Sequence, residues 1–216
     1  MTNAEPPPWI HEVLSPPRFA PYLATTGGDA VAAVQLYWWN VEVSEAFYTP
    51  LHCLELTLRN SMHRKLQSRF VRPDWWSAVE LTAYGTRTVS DAKRKLISRR
   101  TSSFGADDIV AELPFGFWVS LVSRGASYDR TLWVPTLHLA FPHYHGKRQP
   151  LHDNLQSIVL LRNRIMHHEP IHHRHLEADH DKIYRLIAYI SPAMAKELEA
   201  RDRVNEVLGK RHQSRR

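Results

Sequence analysis

A single cysteine, Cys53, gives the chain no intrachain disulfide and points to a reducing, cytoplasmic setting. Long apolar runs are missing too. None approaches the ~20 residues needed to cross a bilayer, so no membrane partner is expected. Residues 1–8 have neither a basic start nor an apolar core, which argues against a secretory signal. Glycine is scarce, at 8 of 216 residues, and those few form neither a P-loop nor a dinucleotide fingerprint. No nucleophile elbow for Ser-His-Asp catalysis is present. Strand-type alternation and repeats of solenoid length are also lacking. What is left is an all-α protein.

What is present fits that class. Hydrophobic residues make up 43% and charged residues 23%, as in an ordinary globular chain. Lysine and arginine total 28 against 22 acids, a net charge of +6, and 14 histidines add positive charge below neutrality. Such a balance favours a polyanionic partner without identifying one. Prolines crowd the N-terminus (Pro6, Pro7, Pro8, Pro16, Pro17 and Pro21), so residues 1–22 are expected to form an extended arm with at most one helical turn over 9–14.

Gly27-Gly28-Asp29 opens a helix over 30–47, which Thr49-Pro50 ends. The next runs over 50–70, with Leu51, Leu54, Leu58, Met62 and Leu66 at steps of three and four. Further helices are expected over 86–99, 133–141, 151–168, 181–190 and 193–208, while Asp107-Asp108 suits a helix start and 109–122 is apolar enough to be buried. The Trp38-Trp39 and Trp75-Trp76 pairs are assigned to the core. Residues 23–208 thus form one helical domain, followed by a basic, disordered tail over 209–216.

The chemistry gathers at Leu161-Arg-Asn-Arg-Ile-Met-His-His-Glu-Pro-Ile171. On a helix turning about 100° per residue, Leu151, Leu155, Ile158, Ile165 and Met166 make one apolar stripe, with Arg162 near its middle. A guanidinium there is costly unless it meets an anion or an acceptor. Asn163 and His167, four residues apart, share a neighbouring face. An imidazole can take the proton from a ribose 2′-hydroxyl, and an arginine can grip phosphate oxygens in the transition state. That chemistry needs no metal and no cofactor. One histidine does not easily serve as both acid and base, so two copies joined in a dimer would be a natural solution. The same residues also admit a plainer reading, a helix end with a buried Arg–Glu pair and a capping histidine.

The string R-N-R-I-M-H resembles the Arg-x4–6-His motif of HEPN ribonucleases, and the longer L-R-N-R-I-M-H-H-E-P-I is similar to the signature of their Abi-like (abortive infection) branch. L-E-L-T-L-R-N at 54–60 and L-P-F-G-F-W at 113–118 add to the likeness, which covers roughly residues 30–205. The resemblance implies a HEPN-like helical bundle with extra helices and a homodimer whose motifs face each other across the two-fold. It also implies metal-independent endoribonuclease activity in phage defence or a toxin–antitoxin system. Arg162, Asn163 and His167 then take the catalytic positions, with His168 and Glu169 in support, and an RNA or protein antitoxin is a candidate partner. The alternative on the same fold is a non-catalytic RNA-binding or protein-interaction module.

Other residues extend the candidate site. Glu55 lies about 40° round its helix from Leu51, so Glu55 or its neighbour Arg59 is expected to reach Arg162; a local Glu55–Arg59 pair is the competing reading. Arg59-Asn60-Ser61-Met62-His63 echoes the motif one residue short, and Asn60 is assigned a supporting role. Arg164, Lys93, Arg94 and Lys95 are candidate RNA-phosphate contacts, although the cluster with Arg99 and Arg100 also suits a solvated helix face. Six histidines between His167 and His180 invite a metal reading, but adjacent side chains leaving a helix end point apart, and no metal ligands are assigned.

Overall fold

The computed structural model describes residues 6–99 and 103–213, and the regular structure in those residues is helical, with no strand among them. The expected all-α class holds. In chain order the α-helices are α1 (Pro8–Leu14), α2 (Pro16–Thr25), α3 (Ala30–Phe70), α4 (Ala83–Ser98), α5 (Ala106–Glu112), α6 (Phe115–Ser120), α7 (Arg148–Met166), α8 (Leu176–Ile190), α9 (Pro192–Glu199) and α10 (Val204–Gln213). Between α6 and α7 the chain makes short 3-10 and π turns, so the helix expected over 133–141 is only the turn Leu137–Ala140.

The expected break at Thr49-Pro50 does not occur. α3 is continuous for 41 residues, roughly 60 Å, and Pro50 lies inside it. An interior proline removes one hydrogen bond and costs about 3 kcal/mol. Phe47, Leu51 and Leu54, on either side, are all buried in one core. Each contributes about 1.5–3 kcal/mol by burial, so their sum outweighs the proline's cost. Asp29 caps the start by accepting from the Ala32 N–H at 3.0 Å. This helix is the spine, with α2, α6, α8, α9 and α10 packed along it. Leu58, Met62 and Leu66 are fully buried, as their spacing requires.

The N-terminal arm is helical, not extended. Pro8, Pro16 and Pro17 occupy first-turn positions, where the missing N–H has no intrahelical partner to lose. Ile10, Phe19 and Tyr22 bury themselves against Ala33 in a small second core, with Leu14, Leu23 and Tyr37 beside it. The basic tail is helical as far as Gln213 because Val204, Val207 and Leu208 are buried. Arg211 lies over the Trp39 ring at 4.5 Å, and Trp39 Nε1 donates to Val207 O at 3.0 Å. Residues 1–5 of the arm, 214–216 of the tail, Arg100, and Thr101-Ser102 of the turn before α5 lie outside the described residues.

Trp75 and Trp76 are core residues, as expected; they meet edge to face, and the Trp75 ring lies tilted against Phe117 and Trp118 of α6. The first pair divides: Trp39 is half-buried, whereas Trp38 is exposed and lies 6.3 Å from Trp9. α7 rests on α6 and α8 through Leu155, Ile158, Leu161 and Ile165. α4 packs on α5 and α6 and turns Lys93, Arg94 and Lys95 to solvent, with Arg94 paired to Asp91 at 2.6 Å. Arg99 pairs with Glu112.

Candidate active site

Arg162 faces a groove between α7 and α3. Glu55 lies opposite, with Arg162 Nε 3.7 Å from Glu55 Oε2 and both side chains partly exposed. The expected approach of Glu55 to the motif arginine is therefore found. Arg59, one turn further along α3, lines the same groove and donates from Nη1 to Ala111 O at 3.3 Å. Tyr48, His52, Leu56 and Met166 complete the walls of a hollow of about 390 Å³. Asn60 lines a different hollow, beside Ser61, Arg64 and Met194, away from the motif. His63 is half of a structural pair: its Nδ1 accepts from Trp75 Nε1 at 3.1 Å.

The motif divides between two faces. Arg162 and Met166 line the groove, while Asn163 is half-buried and His167 is exposed at the helix end, outside the groove's lining. The His167 N–H caps the last turn by donating to Asn163 O at 2.9 Å. His168 then takes φ 57°, its N–H donates to Ile165 O at 3.1 Å, and the Glu169 N–H donates to Arg164 O at 2.8 Å. These bonds form a Schellman termination, in which glycine is the usual left-handed residue. A Cβ in that region costs about 1 kcal/mol. His168→Gly is accordingly expected to raise the melting temperature by about 2–4 °C in a thermal scan. A fall would show that the His168 ring makes contacts worth more than the strain.

Beyond the turn, several segments converge on one loop. Arg164 Nη1 donates to Pro170 O at 3.3 Å and lies near Glu169 and His173, so part of this candidate RNA contact serves the turn. Arg18 of α2 donates to His168 O at 3.3 Å. Asn40, buried on α3, accepts from the backbone N–H of Ile171 at 2.8 Å and of His172 at 3.1 Å. His172 is buried against Tyr22, with Thr25 Oγ1 3.0 Å from its Nε2 and Arg211 donating to its carbonyl at 2.9 Å. Among the described residues no three His, Cys, Asp or Glu side chains are arranged to hold a metal.

Burial, with the positive neighbours His173 and Arg211, lowers the His172 pKa from 6.5 to about 4. Between those values the unfolded chain binds a proton that the fold does not. Stability is therefore full above about pH 6.5 and falls as pH drops toward 4, by up to about 1.4 kcal/mol per pH unit. His172→Gln is expected to flatten this part of the profile in urea titrations from neutral to mildly acidic pH; an unchanged slope would assign the dependence to other groups.

Of the residues in this loop support, the sequence signals only Asn40, a polar residue on the apolar face shared by Ala33, Val43 and Phe47. Arg18, Thr25 and Arg211 carry no local sign of their role. Compared with known proteins, the chain matches no protein-family model, no curated protein and no solved structure.

Proposed function

We propose that the protein is a metal-independent endoribonuclease of the HEPN type, acting as a homodimer in phage defence or as the toxin of a toxin–antitoxin system. The observation that carries the reading is the placement of Arg162. Its guanidinium lines an open groove, with one carboxylate near it at 3.7 Å among the described residues, on the helix whose exposed end bears His167. A structural ion pair would be expected to close its geometry with direct hydrogen bonds and shed solvent. Here the pair is long and the side chains stay partly open, so the arginine can still receive an anion.

The reaction follows from the residue chemistry. His167 takes the proton of a ribose 2′-hydroxyl; the 2′ oxygen attacks phosphorus, and the bond to the 5′ oxygen breaks. Arg162 binds the non-bridging oxygens and stabilises their charge in the transition state. A second His167, from the partner in the dimer, delivers a proton to the leaving 5′ oxygen. The products are a 2′,3′-cyclic phosphate and a free 5′-hydroxyl. Asn163, one turn before His167 on the same face, orients the imidazole, and Lys93 and Lys95 on the exposed face of α4 add phosphate contacts. The test is cleavage of RNA in EDTA by wild type and His167→Ala. Loss of cleavage in the variant supports the enzyme, whereas binding without cleavage by wild type would favour a non-catalytic RNA-binding module.

A further inference from the structure

The α3–α7 groove holds more than the motif arginine. Arg59 and Arg162 enter it from different helices, and Glu55 is the one acid among its lining residues. The Nε of each arginine is buried and makes no hydrogen bond among the described residues. A guanidinium carries five N–H donors, and a buried donor without an acceptor is destabilising. One carboxylate 3.7 Å from Arg162 and the Ala111 carbonyl 3.3 Å from Arg59 leave most of that demand unmet. The groove has an excess of cationic donors over acceptors, the electrostatic requirement for holding a phosphate.

The same wall carries a feature that phosphate binding alone does not require. Tyr48 and His52 lie one above the other on α3, their rings 6.2 Å apart and within 15° of parallel. Tyr48 is 56% exposed in a groove that it lines together with the apolar Leu51 and Met166. A flat, solvated aromatic ledge next to paired arginines has the parts of a single-strand site: charge for the backbone and a π-face for a base. A duplex would not fit this arrangement, because its bases are stacked within the helix and cannot be offered to a side-chain ring.

We infer that this groove binds single-stranded RNA, with phosphates against Arg59 and Arg162 and a neighbouring base stacked on the Tyr48–His52 ledge. The inference rests on the ribonuclease reading and adds three binding residues to it, Arg59, Tyr48 and His52. Unpaired segments become the substrate class, and Tyr48 helps set where the strand is cut.

The probe is a fluorescent 2′-O-methyl oligouridine, which lacks the attacking hydroxyl and stays intact whether or not the protein is an enzyme. Binding to the full chain is followed by anisotropy over a salt series. Tyr48→Ala is expected to weaken binding roughly 5- to 100-fold with an unchanged salt slope, and Tyr48→Phe to bind within about twofold of wild type. Arg59→Gln is expected to lower the slope of log affinity against log salt by about 0.7, the share of one phosphate contact on a single strand. Arg59→Lys, which keeps the charge, retains that slope and guards against loss of the bond to Ala111. An abasic oligomer is expected to bind wild type and Tyr48→Ala alike.

Binding by Tyr48→Ala within twofold of wild type would overturn the inference, as would failure of wild type to hold the oligomer. So would a Tyr48-dependent self-association with no change in RNA affinity, which would assign the ledge to a second copy of the chain. The two readings fail separately. EDTA-resistant cleavage without a Tyr48 effect removes the groove alone, while Tyr48-dependent binding by a protein that cuts no RNA removes the enzyme and keeps the groove.

Discussion

Replacing His167 by alanine is expected to lower RNA cleavage by about a hundred- to ten-thousand-fold, the usual loss when a positioned acid–base group is removed. The fold is expected to survive. His167 is exposed, and its contribution to the end of α7 is a backbone N–H, which alanine keeps. A surface change of this kind shifts stability by at most about 0.5 kcal/mol, or about 1–2 °C in melting temperature for a chain of this size. The assay is run in EDTA, and the products are tested for a cyclic phosphate. Retained cleavage in a folded His167→Ala protein would remove His167 from the chemistry. A substrate with a single 2′-deoxy position isolates the step, since only the bond beside that position is expected to resist.

Local, periodic signals carry through to the fold. Leu51, Leu54, Leu58, Met62 and Leu66 declare one face of α3. The helical wheel sets Glu55 about 40° round from Leu51 and leaves open whether Glu55 or Arg59 reaches Arg162, or whether the two pair locally; the structure pairs Glu55 with Arg162. Such signals mislead where local chemistry and tertiary burial disagree. Pro50 is a sound stop signal, yet the continuous core on both sides carries the helix through it. The N-terminal prolines argue for extension by count, whereas Pro8, Pro16 and Pro17 sit in first turns, where a helix tolerates them, and Pro21 lies inside α2 beside the buried Phe19 and Tyr22. Lys210 and Arg211 make the C-terminus look like a solvated tail, but Val204, Val207 and Leu208 have the helical spacing that runs past Gly209. The wheel itself separates Arg162 and Met166 from Asn163 and His167; which of those faces meets the groove on α3 depends on how α7 rolls against α6 and α8, and no single helix encodes that.

Asn40 shows the limit most clearly and carries the largest expected effect on stability. Its side chain is buried, and its one acceptor oxygen holds two backbone N–H groups 131 and 132 residues away. In Asn40→Ala both donors stay buried without an acceptor. At about 1–3 kcal/mol for each, the variant is expected to lose about 2–6 kcal/mol, read as a lower urea midpoint at unchanged slope. That is a large part of the stability of an ordinary domain. The effect should concentrate on the segment Asn40 holds. The Ile171 and His172 amides are expected to lose hydrogen-exchange protection first, while α3 amides near Leu58 keep theirs. Because Ile171 follows the His168 turn by three residues, the loosened loop also unsettles the end of α7, and cleavage is expected to fall further than the folded fraction does. Loss of activity in strict proportion to folded protein, with Ile171 still protected, would mean that the loop is held by Arg211, Thr25 and Tyr22 without Asn40.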